Sequence, residues 1–382
     1  MDRMIRVGIK TAGKPEIENL DGFTIVKNML IGDGFHWQQT IEAKLPGKIY
    51  LLKNEETHRS NDGDEKIKLI NELPLETYLE CVVGSEMNPE APIEFLKAHA
   101  VISRSWALGK ILNRHSTDNE GRSASESLLI GWDDTAGHSI CDVCSDDHCQ
   151  RYQGWQPISE KALGAIRETT GEVLFSPDGQ LVDARFSKCC GGKTEIFSTC
   201  WQPRDEACLE SFDDPWCDLS KLPKTDRENL LRTILKDYDL ETEGYGYRWE
   251  TSIDKTEIAK NLSERFGRDI GEIERLEPRH KGPSGRIDLL RIHGSDGVLD
   301  IGKELWIRRL LAPTHLYSSA FEIEDNGKII LLKGQGWGHG VGLCQIGAAN
   351  MAMHGRSYRN ILAFYYPNSR IRKPELWEGN RL

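Results

Sequence analysis

The chain has 382 residues, of which 38% are hydrophobic and 29% are charged, as is typical of a soluble globular protein with two or three domains. Its 60 acidic residues outnumber its 49 basic residues, and the resulting net charge of −11 argues against nucleic acid or an anionic membrane as the partner. Because no run of apolar residues reaches the length of a transmembrane helix, we expect no membrane span.

The first 72 residues predict an N-terminal β-rich segment. Short β-rich runs at Ile5–Ile9, Thr24–Val26 and Ile49–Leu52 are separated by Gly, Asp and Asn. The first run begins almost at the N-terminus, where a secretory leader would have a basic region followed by an apolar core. The sequence alone therefore predicts a cytoplasmic protein, unless a leader has been lost from it.

Residues 73–155 predict a helical catalytic segment, which begins with a short amphipathic helix. The apolar stripe of this helix consists of Leu75, Tyr78, Leu79, Val82 and Val83. Glu86 lies three turns after Leu75 and continues the stripe, so its carboxyl should be desolvated. Desolvation raises the pKa of a carboxyl and suits it to act as a general acid. The alternative is a residue at the frayed helix end that points into water, since Glu is rarely buried unpaired.

A second helix is predicted from about residue 93 to residue 112. Its buried face is expected to hold Phe95, His99, Ile102 and Trp106. Lys97 and Arg104 are seven residues apart and share a different face of the helix. We expect that face to present two cations to the loop that carries Glu86.

A dense cluster of Cys and His predicts a metal site within residues 138–149. The preferred ligands are His138, Cys144, His148 and Cys149, with Cys141 to spare. Thiolate and imidazole ligands favour tetrahedral Zn²⁺, and four protein ligands leave no position for water, so the ion would be structural. The alternatives are a disulfide with exposed histidines, or a catalytic zinc with three ligands and one open position.

A second group of cysteines is harder to interpret. It consists of Cys189, Cys190, Cys200, Cys208 and Cys217. No His lies among them, so a zinc ion here would need four thiolates. A disulfide near a turn, free thiols and a second zinc site all remain open.

The rest of the chain predicts a β-turn segment with an inserted helical lobe over residues 156–283, then a C-terminal segment over residues 284–382. Helical patterns occur at Asn229–Tyr238 and Lys255–Phe266, and a strand is expected at Ile287–Ile292. Together these patterns predict an α+β fold with two lobes around a cleft, in which a helical catalytic segment has β-rich surroundings. The C-terminal segment should fold back beside Glu86.

The segment from Gly334 to Gly342 places glycines at alternate positions around His339. A nucleotide-binding loop is excluded, because the segment has no Gly-Lys-Ser/Thr ending and too few residues follow it. Alternating glycines let the backbone approach another group closely. Either His339 contacts a substrate, or it is a hydrogen-bonded residue inside a structural turn. Cys344, near the start of the helix that follows, is expected to be a packing residue.

These residues together resemble the SpoIID/LytB family. The stretch Gly84–Pro89 is similar to its Gly-Glu-Met-Pro motif, Glu94–Ala107 to the helix that follows, and Gly334–Ala348 to its glycine loop. Further similarities lie at Asp142–Cys144 with His148–Gln150, at the turn Cys190–Thr194, at Ser284–Arg286 and at Tyr365–Pro367. The resemblance runs from about residue 5 to residue 372. The chain departs from the family where His99 replaces a common Gln and Cys344 a common Ser.

The resemblance implies a peptidoglycan lytic transglycosylase that acts on glycan strands or muropeptide fragments. Glu86 would be the catalytic acid and base. It would protonate the glycosidic oxygen and then take a proton from the sugar's own C6 hydroxyl as a 1,6-anhydro end forms. Arg104, Lys97 and His339 would belong to the catalytic group. Gly336, Gly338 and Gln345 would bind substrate, and the family usually works outside the cytoplasm.

Two other functions stay open. The family also includes amidase enhancers, so the chain could instead bind and stimulate a cell-wall amidase without catalysis. A zinc-dependent hydrolase is the second alternative, and chelation would abolish its chemistry outright. Loss of a structural zinc would first lower thermal stability.

Overall fold

The computed structural model describes residues 3–33, 38–52, 67–113, 120–133, 138, 140–146, 149–156, 158–235 and 246–373. The helices are α1 (Leu75–Glu86), α2 (Ile93–Leu112), α3 (Glu160–Glu168), α4 (Phe197–Cys200), α5 (Lys224–Ile234), α6 (Lys255–Phe266), α7 (Glu304–Leu310), α8 (Gln345–Met353) and α9 (Tyr358–Tyr365). The strands are β1 (Met4–Lys10), β2 (Ile17–Leu20), β3 (Phe23–Ile31), β4 (Gln39–Leu45), β5 (Lys48–Leu51), β6 (Ile67–Pro74), β7 (Glu120–Ala124), β8 (Leu128–Asp133), β9 (Val143–Cys144), β10 (Val173–Phe175), β11 (Phe186–Ser187), β12 (Arg248–Asp254), β13 (Ile273–Lys281), β14 (Ile287–Gly294), β15 (Gly297–Gly302), β16 (Phe321–Asn326), β17 (Ile329–Gln335), β18 (Leu343–Cys344) and β19 (Arg370–Arg372). The mixed α+β class predicted from the sequence is confirmed.

The first hydrophobic core surrounds α2. This helix packs against α1, α3, α8, α9 and β10, so apolar residues on all of its sides are buried. The buried face predicted from the sequence is confirmed, since Phe95, His99, Ile102 and Trp106 are all buried. The helix begins directly after Pro92, whose fixed φ suits the start of a helix.

The short helix α1 leads from the N-terminal sheet to the first core. Strand β6 runs directly into α1 and pairs with both β1 and β5, in a sheet of order β5-β6-β1-β9. The helix ends at Glu86, because Met87 is already extended and Pro89 disfavours helical backbone at the residue before it. Strand β1 pairs in parallel with β9, with Val7 opposite Val143 and Gly8 opposite Cys144.

A second hydrophobic core lies almost entirely between residues 249 and 332. The sheet of order β13-β14-β15-β8-β7 and the sheet of order β12-β17-β16 enclose it together with α6 and α7. The domain boundary expected between residues 283 and 284 falls in the turn of the hairpin formed by β13 and β14. After this insertion the chain returns to the first core through β18, α8 and α9.

Among the helices that the structure describes, none combines the length and the apolar character needed to cross a membrane.

Candidate functional site

Glu86 lies at the buried end of α1. The residue is only 8% exposed, and its Oε1 atom accepts a hydrogen bond from the backbone N–H of Arg151 at 2.8 Å. The neighbouring Ser85 hydroxyl accepts a second backbone hydrogen bond, from Gln153 at 3.1 Å. The predicted burial of Glu86 is therefore confirmed, and the alternative of a residue pointing into water is wrong.

Two tyrosines hold residues 150–153 against α1. The rings of Tyr78 and Tyr152 are stacked, with centroids 5.6 Å apart, and the Tyr78 hydroxyl donates to Gln150 Oε1 at 3.1 Å. The Gln150 amide reaches the Ser103 carbonyl of α2. Residues 150–153 thus join both helices of the predicted catalytic segment and place the N–H that contacts Glu86.

The candidate metal ligands lie just before this segment. The ligand atoms of His138, Cys144 and Cys149 are all within 4.8 Å of one another, and His138 Nε2 is 3.2 Å from Cys149 Sγ. Two thiols and an imidazole fit Zn²⁺, to which they would supply three of four ligands. His148 lies outside the described residues. Cys141 belongs to the same small apolar cluster as Cys144, with Ile67 and Ile70.

The metal cluster and Glu86 are connected through the backbone. Cys149 is two residues before Arg151, whose N–H holds the Glu86 carboxyl. A Zn²⁺ ion on Cys144 and Cys149 would therefore act as a structural clip that fixes the position of this N–H.

Removing the candidate metal ligand Cys149 should destabilise the protein. We expect Cys149→Ser to lower the melting temperature by about 5 °C or more, because the loop loses its clip. Thermal unfolding followed by circular dichroism, with and without a chelator, measures the effect. Re-addition of Zn²⁺ should restore the chelated wild type but not the variant, and Cys208→Ser serves as the control. A wild type whose melting temperature ignores chelation would contradict the metal assignment.

Arg104 does not lie beside Glu86, and this predicted placement is wrong. Its Nε and Nη2 atoms donate to the two carboxylate oxygens of Glu76, both at 2.8 Å, and Nη1 donates to the Glu172 carbonyl at 3.1 Å. Glu76 and Glu86 are at opposite ends of α1, about 15 Å apart along the helix axis at 1.5 Å per residue. Arg104 instead ties α2 to the first turn of α1.

Lys97 is also engaged by other carboxylates. Its Nζ atom lies 3.0 Å from Glu94 and 2.7 Å from Glu168, so it joins α2 to α3. The ion pairs raise the pKa of the ammonium, chiefly through the hydrogen bond to Glu168. Lys97 therefore contributes a fixed charge at the start of α2, and its described ion pairs do not involve Glu86.

The glycine loop wraps around a buried arginine that the sequence analysis missed. Arg286 donates to the Gly338 carbonyl through Nε at 3.1 Å and Nη2 at 3.0 Å. Gly336 and Gly340 have φ values of 81° and 75°, and a Cβ at either would lie within 2.6 Å of the guanidinium. The close approach predicted from the alternating glycines is thus to Arg286. In the structure Gly336 therefore packs on Arg286, and Gly338 accepts its hydrogen bonds through the backbone carbonyl.

A buried carboxylate holds the arginine turn in place. Glu195 accepts hydrogen bonds from the Ser284 N–H at 3.1 Å and hydroxyl at 2.6 Å, and the same hydroxyl accepts from Arg286 at 2.8 Å. The Ser284–Arg286 turn is the signal by which this network could have been found, because it is one of the motifs that the family shares.

His339 is a hydrogen-bonded residue of the loop. Its Nδ1 atom accepts from the Val341 N–H at 3.0 Å, the ring also bonds to the Phe186 backbone, and its edge packs on Trp201. Burial lowers the pKa of the imidazole well below its ordinary value, and nearby arginines, Arg185 first among them, lower it further. The structure thus favours the second of the two interpretations, a neutral His inside a structural turn.

Gln345 connects the glycine loop to α2. Its amide lies 3.2 Å from His99 Nε2, and His99 Nδ1 lies 3.2 Å from the Ser103 hydroxyl. Because an amide NH₂ only donates, Nε2 is an acceptor and the ring proton is on Nδ1. Burial, and to a smaller extent Lys188, lowers the pKa of His99 to about 3. Gln345, predicted to bind substrate, therefore faces a neutral imidazole in the core.

The buried His99 should make folding sensitive to acid. The unfolded chain takes up a proton near pH 6.5, but the folded chain does so only near 3. The neutral imidazole therefore stabilises the folded state fully above about pH 6.5. This stabilisation is lost as the pH falls from 6.5 towards 3. Between about pH 7.5 and about pH 5 we expect a loss of about 2 kcal/mol.

Urea unfolding at both pH values, compared with His99→Gln, measures this effect. Gln keeps the hydrogen-bonding capacity but does not titrate, so the difference between the two proteins isolates His99. Equal acid sensitivity of both proteins would contradict the buried neutral imidazole.

Comparisons with known proteins identify families and relatives that this chain resembles. Residues 63–175, which include α1, α2 and the candidate metal ligands His138, Cys144 and Cys149, match the family model described as Stage II sporulation protein, and residues 195–342 match a domain of unknown function, DUF8618. Stage II sporulation protein D of Bacillus subtilis is 26% identical over 79% of this chain and 75% of its own length.

Two further relatives cover similar parts of the chain. An uncharacterised protein of Brachyspira hyodysenteriae is 26% identical over 82% of this chain and 72% of its own length. The Amidase enhancer of Bacillus subtilis is 25% identical over 77% of this chain but only 40% of its own length. These matches confirm the family resemblance that the motifs indicated: residues 63–175 match the SpoIID family model, and most of the chain is similar to stage II sporulation protein D and the amidase enhancer.

Proposed function

We propose that this protein is a lytic transglycosylase that cleaves the glycan strand of peptidoglycan at the MurNAc-GlcNAc bond. The observation that carries the proposal is the buried Glu86 carboxyl, held by the Arg151 N–H within the residues that match the SpoIID family model. The names of the relatives support a function related to the cell wall.

The proposed reaction needs only one carboxyl group. The transferable proton is on the Glu86 carboxyl, which the Arg151 N–H holds through Oε1. Protonation of the glycosidic oxygen breaks the bond to C1, and the C6 hydroxyl of the same sugar closes onto C1. The carboxylate then takes the proton from that hydroxyl, so Glu86 returns to its starting state and no water is consumed. This chemistry differs from that of hydrolases that use two carboxylates.

The products of cleavage test the proposal. Purified glycan strands, with and without stem peptides, are incubated with the protein in ¹⁸O-labelled water and the fragments are analysed by mass spectrometry. We expect 1,6-anhydro ends, lighter than hydrolysed ends by one water, and no incorporated label. Reducing ends that carry ¹⁸O would instead indicate a hydrolase and would overturn the transglycosylase.

A non-catalytic amidase enhancer is the second candidate, favoured by the relative of that name. In this case the protein would leave glycan strands intact and would raise the rate of a cell-wall amidase added to intact peptidoglycan. Stimulation that survives Glu86→Gln would support the enhancer.

A further inference from the structure

A second cluster of potential metal ligands lies away from the His138 cluster. It consists of Cys190, Asp214, Cys217 and Cys344, whose ligand atoms all lie within 4.8 Å of one another and whose residues are all buried. They come from three separate parts of the chain: the turn after β11, the loop before the 3-10 turn Leu219–Lys221, and the start of α8. A fourth sulfur, Cys189 Sγ, lies 3.4 Å from Cys217 Sγ.

Backbone N–H groups point at each of the three clustered sulfurs. Gly192 donates to Cys190 at 3.4 Å, and Gly191 donates to Cys217. Cys344 accepts from Cys190 N–H at 3.3 Å and caps α8 by accepting from Gly347 N–H at 3.4 Å. Donors aimed at sulfur favour the thiolate over the thiol, and the N-terminus of α8 adds positive potential at Cys344.

Asp214 is held in place to complete the cluster. Its Oδ2 atom lies 3.3 Å from Cys190 Sγ and accepts the Tyr365 hydroxyl at 2.9 Å, and its Oδ1 accepts the Trp216 N–H at 3.0 Å. Gly347 allows α8 to approach this carboxylate, since a Cβ there would lie 2.7 Å from Oδ2. Partners that orient a carboxylate in this way are typical around metal ligands.

We propose that Cys190, Cys217, Cys344 and Asp214 bind a second Zn²⁺ ion. At Zn–S distances of about 2.3 Å, tetrahedral ligands are about 3.8 Å apart, so small side-chain movements would bring these atoms to bonding distance. Three thiolates and a carboxylate suit Zn²⁺ among the common divalent ions. Four protein ligands in the core leave no open position, so the ion is structural.

The proposed ion would fix the glycine loop to the rest of the core. Cys189 exchanges two backbone hydrogen bonds with Trp337, at 3.1 and 2.7 Å, and Gln345, next to Cys344, contacts His99 on α2. The site thus joins the 189–192 turn, the glycine loop and α8. The proposal is independent of the transglycosylase activity.

Metal content tests the proposal directly. The full chain is reconstituted with excess Zn²⁺, desalted and measured by inductively coupled plasma mass spectrometry, together with Cys149→Ser, Cys217→Ser and Asp214→Asn. We expect both Cys217→Ser and Asp214→Asn to lose one ion relative to the wild type, Cys149→Ser to keep one, and Cys208→Ser to lose none. Unchanged zinc in Cys217→Ser and Asp214→Asn would overturn the proposal.

A spectroscopic test avoids dependence on one variant that could misfold. Cobalt(II) loaded into Cys149→Ser should give a thiolate-to-cobalt charge-transfer band and the intense visible bands of tetrahedral coordination. Adding Cys344→Ser should weaken the charge-transfer band. The competing outcome is a Cys189–Cys217 disulfide, seen in the mass of the unreduced protein. That disulfide without bound metal would overturn the proposal.

Discussion

Glu86→Gln should abolish measurable glycan cleavage and leave the fold intact. Gln has the same shape, and its amide oxygen can still accept the Arg151 N–H that now contacts Oε1. It cannot give or take a proton in this reaction. General acid–base catalysis contributes about 10²–10⁴-fold to a rate, and Glu86 would serve in both proton transfers. We therefore expect a loss of about 10³-fold or more.

Glu80→Gln is the matched control for this variant, because Glu80 lies on the same helix and is more exposed. Its rate of fragment release, followed by chromatography of the products, should remain close to that of the wild type. A Glu86→Gln protein that retains a tenth of the wild-type rate would exclude Glu86 as the proton donor.

Arg104→Met should destabilise the protein by about 3 kcal/mol, because it leaves a charge without its partner in a mostly buried place. Arg104 is 2% exposed and bonds both oxygens of Glu76, whose side chain is 32% exposed. The partial exposure of Glu76 places the loss at the lower end of the 3–5 kcal/mol range measured for broken buried pairs. Urea unfolding measures the change.

Two further variants separate this effect from a general loss of charge. Lys224→Met removes a surface cation whose ion pair with Glu228 is exposed, and should cost less than about 1 kcal/mol. The double variant Glu76→Leu with Arg104→Met removes both charges and should recover most of the loss. An Arg104→Met protein with the same free energy of unfolding as the wild type would contradict the structural role of this pair. Folded Arg104→Met should also cleave glycan at close to the wild-type rate, which a catalytic Arg104 would not allow.

Local sequence patterns predicted several individual helices correctly. The predicted helix at Lys255–Phe266 matches α6, and the predicted helix from residue 93 to residue 112 matches α2. The apolar stripe of α1 predicted the burial of Glu86, because periodicity reports which side of one helix faces the core. The pattern at Asn229–Tyr238 overlaps α5, which begins five residues earlier and spans Lys224–Ile234, and residues 236–238 lie outside the described part of the chain.

Contacts between distant parts of the chain could not be predicted in this way. Arg104 and Lys97 lie seven residues apart on α2, which is covered by other elements on all sides. The carboxylate that pairs with each cation therefore depends on which elements pack around the helix. The alternating glycines predicted a close approach without identifying Arg286. Cys344 was expected only to pack, and its place beside Cys190 and Cys217 depends on the return of the chain to the first core.

The late return of the chain to its first core has a consequence for biosynthesis. One side of α2 is covered by α8 and α9, which supply Ile346, Ala349, Ile361 and Leu362 to the core. A nascent chain that has emerged from the ribosome only as far as residue 340 would leave that side of α2 open to water. Because the second core is translated before α8 and α9, apolar surface on α2 stays exposed throughout that time, and the nascent chain is a natural substrate for chaperones.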